Sequence, residues 1–399
     1  MENNSESHDL VKQKLLFTLM IIAIYVLGRK IPMCGLVPIM KDRDIVDMNS
    51  FMMSTIGGDI NGRSVFALGL SPYMISSILV QAFYSIKNDG TGSSSPARKN
   101  RLTAVMVFVI AFIQAVLRLR HLEFEMNRYT DLNMLVAVLE MVTGAVVIMW
   151  LASRNKTYGA GGQTVLIFVN ILDTFFTAVN GHSFMSLVPS LVMGLILMML
   201  TVFMEYSEFR IPVQRISIHN IYADKNYMAF KLNVVGVMPI MFSSAVFMLP
   251  QMIVNALLMV MPDDPDIIWL SENLTLLKPL GTAVYIIIIY LITVFLAFVM
   301  VNPRDLSEQY LKSGDSLVDI RAGKDTKNYL LAVILIMCTV NGTVLSLCIG
   351  IPMYVCSHMN LDSSLISIPS TAMMLASLWC NIREELVSVR TFDSYEAFI

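Results

Sequence analysis

Ten apolar runs, most of them close to the length that crosses a lipid bilayer, follow one another along this chain of 399 residues. They cover residues 15–28, 65–83, 102–117, 132–151, 164–179, 184–204, 234–261, 279–301, 329–349 and 361–382, and none contains a Lys or an Arg. Inside hydrocarbon the backbone must satisfy its own hydrogen bonds, so runs of this length predict helices. The expected fold is an all-α, multi-pass membrane protein. Charged residues make up 15% of the chain, well below the roughly 25% of a soluble domain. The loops and tails left between the runs leave no room for a separate soluble catalytic domain. The first run is short, but residues 31–36 can extend it. The seventh is long and carries Pro239 and Pro250, which predicts a kink or a tilt. Lys12 and Lys14 precede the first run and no small-residue cleavage site follows it, so it reads as a retained span rather than a signal peptide.

Orientation follows from the basic residues. With the N-terminus in the cytoplasm, the cytoplasmic segments hold nineteen of the 28 Lys and Arg. An even number of spans then puts both termini in the cytoplasm. The loops 205–233 and 302–328 are long and cytoplasmic in this arrangement. The loop after the seventh run is external and acidic (Asp263, Asp264, Asp266, Glu272). The first external loop is also long and half apolar, with Phe51, Met52, Met53 and Ile56 beside Gly57, Gly58 and Gly62. That composition suits a re-entrant segment, which is tolerated only against protein or a water-filled cavity. An internal cavity or pore is therefore expected.

Chemistry-bearing residues are few. A formal net charge of −2 argues against a nucleic-acid partner. Five scattered cysteines without a CxxC, and dispersed histidines, give no disulfide framework, metal site or cofactor. No nucleophile motif appears, so an enzyme is not expected. The residues Gly159-Ala160-Gly161-Gly162 lack the ending of a phosphate loop and read as a tight turn. Two carboxylates lie within the runs away from their ends, Glu140 and Asp173, both in the outer half of their spans. One reading makes them the proton or cation site of a secondary transporter. The other makes them a hydrogen-bonded carboxyl pair, or groups facing an outer aqueous vestibule. Methionine is abundant, with 31 residues, which fits lipid-facing packing and also an adaptable surface.

Several stretches together resemble SecY, the central subunit of the protein-conducting channel. Residues 27–35, Leu-Gly-Arg-Lys-Ile-Pro-Met-Cys-Gly, resemble the end of that family's first span, with Cys34 where a second Pro is usual. Residues 64–81, beginning Ser-Val-Phe-Ala-Leu-Gly-Leu-Ser-Pro-Tyr, resemble its second span, and Val142-Thr143-Gly144 its fourth. Asn233-Val234-Val235-Gly236-Val237-Met238-Pro239 resembles the start of the seventh. Asn302-Pro303-Arg304, Leu311-Lys312-Ser313-Gly314 and Ile320-Arg321-Ala322-Gly323 resemble the loop between the eighth and ninth spans, with Ala322 in place of a Pro. A less basic 205–233 loop and a short tail after Ile382 look most like the accessory SecY of Gram-positive bacteria.

The resemblance implies ten helices in two five-helix halves, 1–182 and 183–399, clasping an hourglass pore. It implies an apolar pore ring of Leu70, Met74, Phe168, Leu172, Met241 and Ala372 or Met373, and a plug at about 49–61 holding Phe51, Met52, Met53, Ile56, Gly57 and Gly58. It places polar contacts of a lateral gate at Ser76, Ser77, Gln81, Gln114, Asn233, Ser243 and Ser244. Arg210, Arg215, Arg304, Arg321 and Lys324 become docking residues for a cytoplasmic SecA-type ATPase. The implied function is a channel in the cell membrane that passes unfolded polypeptide, a serine-rich glycosylated adhesin in the accessory system. Membrane lipids, a SecE-like small membrane subunit and accessory Sec proteins are candidate partners. A housekeeping SecY, and the transporter using Glu140 and Asp173, are the alternatives.

Overall fold

The computed structural model describes residues 3–36, 63–87, 96–119, 122, 130–180, 182–215, 227–261, 263–276, 278–318, 320–321, 323–358 and 363–395. The expected plug segment, with Phe51, Met52, Met53, Ile56, Gly57 and Gly58, lies outside them. In chain order the elements are α1 (Asn3–Arg29), α2 (Ser71–Lys87), α3 (Pro96–Leu119), α4 (Thr130–Tyr158), α5 (Gly162–Val179) and α6 (Phe184–Tyr206). Then come β1 (Glu208–Arg215), β2 (Tyr227–Lys231), α7 (Met238–Val260), α8 (Pro265–Asn273) and α9 (Pro279–Met300). The last are α10 (Pro303–Ser313), β3 (Asp315–Leu317), α11 (Lys324–His358) and α12 (Ser363–Tyr395). Among the described residues, eight helices are long and apolar enough to cross a membrane. The two other apolar runs form α2 and α7, which completes ten helices over the ten runs, in order.

Local chemistry sets the helix boundaries. Prolines occupy the first turns of α7, α8, α9 and α10, where a missing N–H costs no hydrogen bond. Pro239 is one of these, so it starts α7 rather than kinking it, and Pro250 is the interior proline. Asp264 and Asn302 cap α8 and α10, each accepting a backbone N–H at 3.2 Å. The second apolar run is not one helix. Residues 65–70 form successive turns, with Ala67 N donating to Ser64 O and Gly69 N to Phe66 O at 2.9 Å, and α2 begins only at Ser71. Pro72 explains this: in a continuing helix its ring would strike the carbonyl four residues upstream. The chain leaving α1 pairs with the chain before these turns, through Met33 N to Arg63 O (2.9 Å) and Val65 N to Ile31 O (3.0 Å). Both ends of the long first loop are thereby fixed.

The chain forms two compact units, one of residues 1–194 with 360–399, the other of residues 195–359. In the first, α12 packs on α5, and α3 and α4 meet through Ala111, Ala115, Ala137, Met141 and Ala145. Small side chains bring the helix axes close. Gly144 of α4 lies against the Val65 carbonyl oxygen in the turns before α2, where a Cβ would clash. In the second unit α9 packs on α7 and α11, with Phe247 edge-on to buried Tyr285.

The described parts of the two long loops hold regular structure. They contribute a single three-stranded sheet ordered β2-β1-β3, with Phe209 opposite Phe230 and Val213 opposite Leu317. Its inner face (Ile211, Val213, Phe230, Leu317) rests on Leu330 and Met337 of α11, with Leu306 and Tyr310 of α10 beside them. The strands follow the pleat: in β1, Ile211 and Val213 are buried while Arg210, Pro212 and Gln214 are exposed.

Candidate functional site

Where the first unit holds its intramembrane carboxylates, each has its own partner. Arg29, the last residue of α1, donates from Nη2 to Asp173 Oδ2 in α5 at 2.9 Å. Glu140 Oε2 in α4 accepts the backbone N–H of Cys34 at 3.1 Å. The two acids thus hold separate points at the exit of α1. Beside the Glu140 carboxylate, which accepts from the thiol and repels its anion, the Cys34 thiol titrates above its ordinary range. Deeper in the unit, Asn170 Nδ2 of α5 lies 2.6 Å from the Tyr25 hydroxyl of α1, both buried.

The Gly159–Gly162 segment is a structural turn. Gly161 and Gly162 take φ of 76° and 47°, and fully buried Asn155 donates to Ala160 O (3.1 Å) and Gly162 O (2.8 Å). Thr18 of α1 accepts from Ala160 N at 2.9 Å. These side-chain hydrogen bonds all run to backbone groups, as a turn between two membrane helices requires.

The apolar ring candidates fall on both units. In the first, Leu70 and Met74 are fully buried at the start of α2, and the Leu70 carbonyl accepts Met74 N at 2.9 Å. Phe168 and Leu172 lie one turn apart on α5, with the Phe168 ring 6.4 Å from that of exposed Trp379 of α12. Ala372 faces Gly194 of α6, so Met373, about 100° further round α12, points elsewhere. Met241, on α7, belongs to the second unit and is buried.

Most lateral-gate candidates bond within their own helix or to a close neighbour. Ser76 donates to Pro72 O (2.6 Å), Ser77 to Met74 O (2.8 Å) and Ser243 to Pro239 O (2.6 Å). Gln114 of α3 donates to the Ser71 hydroxyl at 3.0 Å. Ser244 donates to Ile240 O and meets the Tyr285 hydroxyl at 2.9 Å. Gln81 is exposed. Asn233 bonds Glu205 and Asn341, all inside the second unit.

Basic candidates line the sheet and its surroundings. Arg210, on β1, lies 4.5 Å from the Tyr227 ring centre of β2 and 3.4 Å from Glu208. Arg215 ends β1, opposite Asp315. Arg304 pairs with Glu308 at 3.8 Å, one turn on in α10. Arg321 is exposed, and its carbonyl accepts the hydroxyl of buried Thr326 at 2.9 Å, which fixes the backbone that carries it. Lys324 opens α11 and is exposed.

Sequence reasoning missed Glu205, taken as the start of a loop, and Arg29, taken as lying beyond the first span. It also missed the sheet, although the alternation Phe209, Ile211, Val213 was a readable strand signal.

The fold is that of a multi-pass helical membrane protein: a solved protein-conducting channel aligns with a TM-score of 0.68 at 15% identity, covering 96% of this chain and 93% of its own. A family model described as SecY matches residues 64–378, and the chain belongs to the SecY family. It is 31% identical over 399 residues to the accessory Sec system protein translocase subunit SecY2 of Streptococcus agalactiae, covering 97% of this chain and 96% of that protein. The SecY2 subunit of Leuconostoc gelidum is 27% identical over 422 residues, at 99% and 98% coverage.

Proposed function

We propose that this protein is the channel subunit of an accessory Sec translocase, passing an unfolded, serine-rich glycosylated polypeptide across the cell membrane under the drive of a SecA-type ATPase. The observation that carries this reading is similarity to SecY2 subunits along essentially the whole chain. In this reading Leu70, Met74, Phe168, Leu172, Met241 and Met373 or Ala372 form the apolar constriction, which bars ions by dewetting. Residues 49–61 fill the outer funnel. Spans 2 and 7 border the lateral gate, with Ser76, Ser77, Gln81, Gln114, Asn233, Ser243 and Ser244 as its polar contacts. The motor docks on the β1–β3 platform and α10 through Arg210, Arg215, Arg304, Arg321 and Lys324, on the same cytoplasmic side as both termini. The partners of Glu140 and Asp173 speak against the transporter reading, because both acids are engaged in holding the exit of α1.

Deletion of this chain from its host tests the proposal. Secretion of the serine-rich glycoprotein should stop, its precursor should accumulate inside, and general secretion should continue. A broad fall in secretion would instead identify a housekeeping channel. Maleimide labelling of Lys324→Cys from outside intact cells should fail, and efficient labelling would overturn the orientation.

A further inference from the structure

Glu205, Asn233 and Asn341 are far apart in sequence and form one buried hydrogen-bonded line within the second unit. They are 1%, 3% and 2% exposed. Asn233 Nδ2 donates to Glu205 Oε1 at 3.1 Å, and Asn341 Nδ2 donates to Asn233 Oδ1 at 2.8 Å. Glu205 lies in the last turn of α6, Asn233 in the link between β2 and α7, and Asn341 within α11. A carboxylate is disfavoured at a helix C-terminus by the dipole and again by burial. An acid kept there against both effects needs partners, and amide side chains can each give and accept, extending the line across three elements.

The line sits at a mechanical junction. On one side, Leu232 N donates to Ser207 O at 2.9 Å, and Glu208 opposite Lys231 begins the sheet. On the other side, Gly236 takes φ of 66°, and α7 begins two residues later. Residues 232–237 belong to neither helix nor strand. The link is therefore gripped at Asn233 and takes its one left-handed residue, Gly236, just before α7 begins.

We infer that Glu205, Asn233 and Asn341 form the fixed anchor about which α7 pivots, so that a displacement of the β1–β3 platform reaches α7 through residues 234–237 instead of dissipating in a loose linker. They are positioning residues. The inference rests on the channel reading only for the use made of the motion.

Pulsed electron-spin distance measurements on the full chain in lipid nanodiscs test it, in a background with every native cysteine replaced. Labels at Leu257→Cys and Leu347→Cys, both exposed, report α7 against α11; labels at Phe209→Cys and Leu311→Cys, also exposed, report β1 against α10. Asn233→Ala should roughly double the width of the α7–α11 distribution, as a helix released at a hinge would. The β1–α10 distribution should stay as in the parent. Glu205→Gln keeps an acceptor for Asn233 and should retain the narrow α7–α11 distribution. Unchanged α7–α11 width in Asn233→Ala, or equal broadening of both pairs, overturns the anchor. If Asn233→Ala does not accumulate, Asn341→Leu, which removes only the α11 link, is read by the same criteria. No motor or substrate is present, so failure here leaves the translocation reading intact, and loss of glycoprotein specificity in the deletion test would leave the anchor intact.

Discussion

Arg29 at the end of α1 and Asp173 in α5 form a 2.9 Å ion pair across 144 residues of sequence. The pair is lopsided: the Arg29 side chain is 13% exposed and that of Asp173 51%. Its role is to hold the exit of α1 in place.

Replacing both acids, with Glu140→Gln and Asp173→Asn, should therefore leave export close to normal. Both substitutions keep an acceptor oxygen for Cys34 N and for Arg29. The check is secretion of the proposed serine-rich substrate at matched membrane levels. Collapse of export with normal accumulation would restore the transporter reading.

Cys34 offers a pH-dependent readout of the same region. The Glu140 carboxylate raises its pKa, so less thiolate is present at neutral pH than an isolated thiol would give. In Glu140→Gln the thiol pKa falls and maleimide labelling of Cys34 in purified protein should speed up near pH 7. The two rates should converge at high pH, where both thiols are ionised. Equal rates at neutral pH would remove Glu140 as the cause.

The turn at Gly159–Gly162 should be a stability hot spot. Asn155→Ala removes two buried hydrogen bonds to backbone carbonyls and should cost about 2 kcal/mol. Thr18→Ala removes the acceptor for Ala160 N and should cost about 1 kcal/mol. Thermal unfolding in detergent checks the order; an unaffected Asn155→Ala would show that water replaces the amide.

If the proposed SecA-type motor docks on this chain, Arg321 is the residue expected to carry the contact. The loop around it mixes Arg304, Lys312, Lys324 and Lys327 with Asp305, Glu308, Asp315, Asp319 and Asp325, so bulk charge gives little attraction. A defined contact is needed, and the guanidinium fork supplies one that Lys cannot copy. Arg321→Glu should abolish export and weaken motor binding by about 2 kcal/mol or more, roughly thirtyfold. Arg321→Lys should be impaired and Lys324→Glu much milder. Normal motor affinity in Arg321→Glu would end the assignment.

Spans, turns and family were legible in the chain because each rests on local pattern. Runs without Lys or Arg mark the membrane helices and the 159–162 glycines mark a turn, whereas Pro72 and Pro239, inside runs read as single spans, sit in the first turns of α2 and α7. What the sequence could not decide is who meets whom. Glu140 and Asp173 stood at similar depth on neighbouring spans, which paired them on paper; the fold gives them Cys34 N and Arg29 instead. Glu205 read as the first residue of a loop, and only the return of the chain at Asn233 and the passage of α11 at Asn341 bury it. Two loops with three membrane-side elements between them became one sheet because β1 offered its second edge to β3. Hydrophobic periodicity is written in neighbours along the chain, whereas hydrogen-bond partners are chosen by whichever segments packing brings within 3 Å.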